Sequence, residues 1–105
     1  SSSIYARIEY AECLAKLAST RPAAEQFAIA IQQSQNLGNS RAESYAIGRL
    51  AHLYEQSKQW QEAQQLTQKA LELSEQINAP DILYQWQWQS GRLWNQLGDR
   101  QSATI

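Results

Sequence analysis

The chain has 105 residues, the size of one domain, and 43% of them are hydrophobic, including four Trp and five Tyr, which argues against disorder. Nine basic and ten acidic residues give a net charge of −1, and both signs are spread evenly. Nucleic acid and anionic membranes need clustered Lys and Arg, so both partners are disfavoured. Apolar runs fall short of the roughly 20 residues of a membrane span, and the first residues do not resemble a signal peptide. We expect a cytoplasmic protein.

The composition predicts helices. Ala, Leu, Gln and Glu dominate, and only four Gly and two Pro are present. Apolar residues recur at i, i+4 and i+7 over residues 4–18, which predicts a first helix with one buried face. Cys13 lies near that face and is expected to be a small buried side chain, because no base or cationic setting that would activate a thiol accompanies it. The chain is therefore expected to be all-α.

Proline and glycine mark the borders of the second helix. Pro22 disfavours helical geometry at the residue before it, so helix one should end near residues 19–21. Pro22 itself suits the first turn of a second helix over about residues 23–37. Gly38 is expected to close that helix as a left-handed C-terminal cap. Residues 4–38 thus form a first predicted hairpin.

The clearest hairpin spans residues 40–78. Ser40 and Glu43 match the S-x-x-E capping box, which predicts that Ser40 caps helix three. That helix should end near Gln56, and a short turn at residues 57–59 should lead into helix four. The apolar positions of helix four are spaced by alternating steps of three and four, and they predict its buried stripe: Ala63, Leu66, Ala70, Leu73 and Ile77.

Helix five is predicted from Pro80, with Asp81 favourable at its positive end, to about Leu97. Gly98 is expected to cap it, and residues 99–103 resemble the turn and first residues of a sixth helix. The third hairpin, 80–105, would then be incomplete. We therefore expect a single domain of about five helices plus the start of a sixth, which is a fragment of a longer array. Self-association through the uncovered C-terminal end is a further expectation.

Residues forty positions apart in the sequence are similar, which indicates a repeat. Small residues recur at one position of the first helices and two of the second, where short side chains let helices approach closely. Large residues recur beside them. The aligned sets are Ala11, Ala51 and Gly91; Leu14, Tyr54 and Trp94; Cys13, Leu53 and Leu93; Ala23, Ala63 and Ala103; and Ala30 and Ala70.

The run Leu50-Ala51-x-x-Tyr54, followed by Ala63 and Ala70, resembles the tetratricopeptide repeat, in three registers over nearly the whole chain. The period is about forty residues against 34 in the standard repeat. This longer form is similar to arrays in kinesin light chains and in cyanobacterial proteins that end in a CHAT domain, a caspase-like protease module. The resemblance implies a right-handed superhelix, an α-solenoid of antiparallel helix hairpins. HEAT and armadillo repeats have similar periods, but their usual Pro and Asp/Arg pair are not found at recurrent spacing.

Members of this family bind partners on a concave surface lined mainly by the first helix of each hairpin. Their known clamp for a terminal carboxylate uses Lys and Asn side chains, whereas this chain has Gly48, Arg49 and His52 there, so a chaperone-tail receptor is not expected. The family's groove positions fall on twelve candidate partner-binding residues of this chain: Tyr5, Glu9, Glu12, Tyr45, Arg49, His52, Glu55, Gln85, Trp88, Gln89, Arg92 and Asn95.

Several of these side chains have two interpretations. Arg49 and Arg92 could grip an acidic ligand, or they could form ion pairs within the array. His52 has no second metal-binding residue nearby, so no metal site is expected. Residues 84–88 alternate as in a strand, but their place between Pro80 and Gly98 favours a helix. In that helix Trp86 would lie in the core and Trp88 would face the groove or its rim.

Three functions remain open. The first is a non-catalytic scaffold that binds a peptide or protein partner in the groove. The second is a regulatory segment of a larger protein whose CHAT protease domain lies outside these residues. The third, an enzyme, is disfavoured because the sequence has no nucleophile–base pair, metal cluster or phosphate loop. No cofactor is expected.

Overall fold

A computed structural model of the chain describes the backbone of residues 2–104 and the side-chain environment of residues 3–98. These residues form helices joined by short turns and contain no strand, which confirms the all-α prediction. Ala, Leu, Gln and Glu are strong helix formers, and the apolar residues among them recur with helical spacing. The helices are α1 (Ser2–Lys16), α2 (Thr20–Asn36), α3 (Ser40–Gln56), α4 (Trp60–Gln76) and α5 (Pro80–Thr104).

The four turns between the helices have the same backbone geometry. Each contains one residue with positive φ, and these residues recur every twenty positions: Ala18 (63°), Gly38 (66°), Lys58 (63°) and Asn78 (58°). The N–H of the next residue reaches back to a carbonyl five positions earlier, as from Asn39 to Ser34 at 2.9 Å. This pattern is the Schellman motif. Gly38 is confirmed as a left-handed cap, whereas the other three turns adopt this conformation without glycine.

The structure corrects the predicted start of α3. Asn39, not Ser40, is the N-cap, and its side chain accepts a hydrogen bond from the Ala42 N–H at 3.1 Å. Ser40 is already the first helical residue, because the Schellman turn ends at residue 39 and Asn is among the best N-cap residues. The Glu43 carboxylate instead accepts a hydrogen bond from Gln35 of α2 at 3.1 Å. The S-x-x-E match was therefore one residue out of register.

Two other predicted boundaries are wrong. Helix α1 ends at Lys16 and α2 begins at Thr20, each about three residues earlier than predicted, whereas Pro22 lies in the first turn of α2 as expected. Gly98 is not a cap, because α5 continues through it to Thr104, and no sixth helix begins at residue 99. A glycine inside a helix costs only about 1 kcal/mol relative to alanine, so it does not end a helix by itself. The turn at residues 57–59 is confirmed.

The helices pack in a fixed order. Each packs closely against the next along the chain, and α3 also packs against α1 and α5, whereas the backbones of α2 and α4 do not come close to each other. The described chain measures 47 × 32 × 18 Å, and the shortest dimension fits two helix layers whose axes lie about 8–10 Å apart. Helices α1, α3 and α5 therefore lie side by side on one face, with α2 and α4 behind them. No described helix has the length and apolar content needed to cross a membrane.

Small residues form the centre of the core. Six alanines that the repeat predicts at close helix contacts are fully buried, namely Ala11, Ala23, Ala30, Ala51, Ala63 and Ala70. Gly91, the counterpart of Ala11 and Ala51, is exposed instead, and the side chain of Ala103 lies outside the described residues. On α4 this corrects the predicted stripe, because Leu66, Leu73 and Ile77 are only half-buried, and Thr67 and Ser74 lie at the centre instead. Helices that approach closely accept only short side chains between them, so the larger ones pack at the flanks.

Cys13 is exposed, which contradicts the prediction that it is buried. Its counterparts Leu53 and Leu93 are buried, and Leu53 packs into the hydrophobic cluster that includes residues of α1 and α2. The corresponding side of α1 has no described helix against it. Burial at this position therefore depends on a neighbouring hairpin.

Candidate partner-binding groove

A groove runs along the face that α1, α3 and α5 share, and it consists of two adjoining cavities. The first encloses about 420 Å³ and is lined by Tyr5, Glu9, Arg41, Tyr45, Asp81, Ile82 and Gln85. The second encloses about 620 Å³ and is lined by Arg49, His52, Asp81, Tyr84, Gln85, Trp86, Trp88, Gln89 and Arg92. Asp81 and Gln85 belong to both, so the two cavities form one continuous surface.

Most of the predicted groove residues lie along this surface. Nine of the twelve line one of the two cavities. Glu12 lines a smaller depression of about 90 Å³ together with Arg49 and His52. Glu55 is half-buried beside the groove, and Asn95 is exposed further along α5. The residues that the resemblance grouped are far apart in the sequence, and the structure places most of them along one surface of three helices.

Both groove arginines are ion-paired within the chain. Arg49 Nε lies 2.7 Å from Glu12 Oε1, which joins α3 to α1. Arg92 contacts Glu55 with two nitrogens at 3.0 and 2.9 Å, which joins α5 to α3. A bidentate guanidinium–carboxylate pair has a fixed geometry and leaves fewer donors for a ligand. Of the two interpretations of these arginines, the structure favours pairing within the array.

Glu55 is the centre of this charge network. His52 Nδ1 lies 3.1 Å from its carboxylate, in addition to the two contacts from Arg92. Burial alone would raise the pKa of Glu55, but the hydrogen bonds from Arg92 and His52 outweigh it and hold the pKa below its ordinary value. The same hydrogen bond to Glu55 raises the pKa of Arg92. Glu55 therefore stays ionised and keeps α3 and α5 joined at neutral pH.

Gln89 is committed to the interior and is barely available to a ligand. Its side chain is 3% exposed, and its amide nitrogen donates to the Gly48 carbonyl at 3.1 Å and to Thr67 Oγ1 at 2.9 Å. A buried amide without partners would be costly, so these contacts determine its orientation. Its assignment to the groove came from repeat position alone, and sequence could not reveal that α4 supplies an acceptor.

Trp86 and Trp88 of α5 point in different directions, as predicted. Trp86 is 1% exposed in the core, and its Nε1–H donates to Ser44 Oγ at 3.2 Å. Its ring lies over Gly48, where an added Cβ would overlap the indole. Trp88 is 75% exposed and lines the second cavity. Sequence analysis missed the importance of Gly48, and no local signal separates it from Gly91 and Gly98, which lie inside α5 without such a contact.

Aromatic rings form a row along the floor of the groove. The ring centroids of Tyr5 and Tyr45 are 6.1 Å apart, and those of Tyr45 and Trp86 are 6.2 Å apart. Tyr84, 68% exposed, lines the second cavity with Trp88. Sequence reasoning did not include Tyr84, but it lies four residues before Trp88 and thus on the same helix face.

Charged side chains of both signs lie near the hydroxyl of Tyr45. Burial, followed by the nearby Glu12, raises its pKa, and Glu9 acts in the same direction while Arg49 opposes them. Beside it, the Arg41 guanidinium hydrogen-bonds Asp81 and holds the pKa of that carboxyl below its usual range. Arg41 and Asp81 were not among the predicted residues. They join the starts of α3 and α5 at the edge of the first cavity.

The described residues contain no cluster of three His, Cys, Asp or Glu side chains that could hold a metal ion. What the groove offers is therefore aromatic surface, amide groups and paired charges, which suit noncovalent recognition. No family model, curated protein or solved structure matches this chain. The tetratricopeptide resemblance accordingly stays a prediction.

Proposed function

We propose that this chain is a non-catalytic helical-repeat scaffold that binds a peptide or protein partner along the α1–α3–α5 groove. The observation that carries the proposal is the exposed pair Tyr84 and Trp88, 68% and 75% exposed, beside a continuous concave surface. Large aromatic side chains are enriched among the residues that dominate binding energy. Two of them on one helix face, next to a groove, form a plausible anchor point for a partner.

The proposed architecture is a right-handed tetratricopeptide-like superhelix of antiparallel hairpins. Its support is the forty-residue period, together with contacts between α1 and α3 and between α3 and α5 while α2 and α4 stay apart. Helices that meet on one face and separate on the other give a curved array, with the concave side on α1, α3 and α5. In such an array the groove continues from one hairpin to the next.

Selection of a random peptide display library on the 105-residue chain tests the binding proposal. The matched variants are Trp88→Ala and Trp94→Ala, because both replace an exposed tryptophan of α5. Trp94 is 59% exposed but lies against α4, outside the groove. We expect selected peptides to lose about tenfold or more in affinity for Trp88→Ala, the effect of a loss of about 1.4 kcal/mol.

The Trp94→Ala protein should keep the affinity of the unmodified chain. Circular dichroism and thermal melting of both variants would verify that each remains folded. Selected peptides that bind Trp88→Ala as well as the parent would show that this groove is not the binding surface. Failure to select any peptide that binds the folded parent chain would count against the scaffold itself.

A further inference from the structure

The first groove cavity combines two tyrosine rings with carboxylate groups. We name its central part the tyrosine pocket, defined by Tyr5, Glu9, Tyr45 and Gln85. The two tyrosine rings come from neighbouring helices, α1 and α3, and their centroids lie 6.1 Å apart. Glu9 is one helical turn after Tyr5, so both side chains leave α1 on the same face. At about 420 Å³ the cavity has the size of a ligand pocket.

Charge pairing leaves one carboxylate in this region without a counter-ion. The three arginines along the groove are each paired, Arg41 with Asp81, Arg49 with Glu12 and Arg92 with Glu55. Among the described residues Glu9 has neither an ion pair nor a side-chain hydrogen bond, and it is exposed. The groove therefore has an unmatched negative charge beside two aromatic rings, and no unmatched arginine to attract an acidic ligand.

Aromatic faces and a free carboxylate are complementary to the same group. The face of an aromatic ring attracts a cation through its quadrupole, and a carboxylate attracts it by charge and hydrogen bonding. We infer that the tyrosine pocket takes a lysine or arginine side chain of the bound peptide, while apolar residues of the same peptide pack on Tyr84 and Trp88.

This inference rests on the proposed peptide-binding function and specifies the partner's chemistry. The pKa of Tyr45 is raised mainly by burial, and the negative charges of Glu12 and Glu9 raise it further against the opposing effect of Arg49. A guanidinium or ammonium group entering the pocket would relieve this charge. The opposite choice, a peptide with acidic side chains, would place like charges beside Glu9.

The test uses three fluorescently labelled pools of short capped peptides. Each pool has one fixed central residue, lysine, norleucine or glutamate, and uncharged residues elsewhere. Fluorescence anisotropy measures the affinity of each pool for the folded chain at low salt. We expect the lysine pool to bind about threefold to tenfold more tightly than the norleucine pool, as a cation–π contact and one exposed ion pair would give. Added salt should reduce this difference.

Two variants separate the pocket from general charge effects. Glu9→Gln removes the unmatched carboxylate, and Glu72→Gln removes an exposed carboxylate of α4, outside the groove. The preference for lysine should fall below about twofold in Glu9→Gln, because that variant loses the ion pair between the ligand cation and the carboxylate. The preference should persist in Glu72→Gln, because Glu72 lies outside the groove. Thermal melting of both variants would show that neither change alters the fold.

The outcomes distinguish the two proposals. Lysine preference that disappears only in Glu9→Gln supports the tyrosine pocket. Equal or tighter binding of the norleucine or glutamate pool, weakened by Trp88→Ala, overturns the pocket but leaves the groove function standing. Equal loss of lysine preference in Glu9→Gln and Glu72→Gln also overturns the pocket, since net charge would then explain the preference. Absence of binding by every pool counts against both.

Discussion

Replacement of Gly48 by alanine should destabilise the protein, although helix propensity alone predicts the reverse. Gly48 lies in the middle of α3 and is buried, with the six-membered ring of Trp86 over its Cα. The methyl group of alanine would overlap three atoms of that ring. Because Trp86 is 1% exposed and hydrogen-bonded to Ser44, it cannot move without losing core contacts.

The magnitude follows from three contributions. Alanine inside a helix is about 1 kcal/mol more favourable than glycine. Overpacking of a core typically costs about 1–3 kcal/mol. Displacement of the indole also breaks its hydrogen bond to Ser44, which contributes about 1 kcal/mol. The free energy of unfolding should therefore fall by about 1–3 kcal/mol, and each kcal/mol lowers the Tm of a domain of this size by about 4–8 °C.

Urea unfolding followed by circular dichroism measures the effect, and Gly91→Ala is the matched control. Gly91 is also inside a helix, but it is exposed, and nothing lies within 4 Å of an added Cβ. Gly91→Ala should therefore stabilise the protein by about 0.5–1 kcal/mol. The same substitution is thus expected to have opposite signs at two sites of one chain.

A double-mutant cycle identifies the cause. In a Trp86→Leu background the ring is absent, so Gly48→Ala should cost much less, and the coupling energy between the two sites should reach about 1 kcal/mol or more. Gly48→Ala with stability equal to or above that of the parent chain would refute the packing of Trp86 over Gly48. Additive effects in the cycle would contradict the assigned mechanism even if the single variant is destabilised.

Three further changes test individual features. Asn39→Ala should lower the free energy of unfolding in urea by about 1 kcal/mol and Ser40→Ala by less than about 0.5 kcal/mol, because Asn39 is the N-cap. A larger loss for Ser40→Ala would show that Ser40 caps the helix, as the S-x-x-E match predicted. Glu55→Gln should lose about 0.5–1 kcal/mol at neutral pH. Since the folded pKa of Glu55 lies below its ordinary 4.5, this stabilisation is present above about pH 4.5 and disappears as the pH falls through the folded pKa, so parent and variant should converge in acid. Cys13 should react with a thiol reagent at the rate of an unfolded control, and strong protection would show that it is buried.

The helices could be predicted because their signals are local. Gly38 carries the conformational preference of its turn, and the turn at residues 57–59 follows from the phase of the apolar stripes on either side. Lys58 shows the limit of local signals, because lysine does not favour the φ of 63° that it adopts in this turn. Gly98 shows the opposite case: glycine favours turns, yet this residue lies inside the continuous helix α5.

The candidate site was less accessible to sequence reasoning than the fold. Repeat position grouped Arg49, Arg92 and Trp88, and all three line the second cavity. It could not show that Glu12 and Glu55 would neutralise the two arginines, because each pair joins residues 37 positions apart on different helices. Pairings of this kind depend on the packing of hairpins, which is a tertiary property.

The contact between Gly48 and Trp86 also has a consequence for the equivalence of the repeats. Forty residues earlier in the sequence, the positions equivalent to Gly48 and Trp86 are Ile8 and Ala46, which lie at the boundary between α1 and α3. Both are buried in one hydrophobic cluster. Between α1 and α3 the larger side chain, Ile8, comes from the earlier helix, whereas between α3 and α5 the larger side chain, Trp86, comes from the later helix. The large and small partners are thus reversed from one boundary to the next. Although the hairpins share a length and a turn geometry, they cannot be exchanged, duplicated or reordered without a clash or a void, so the order of the units is encoded in their interfaces.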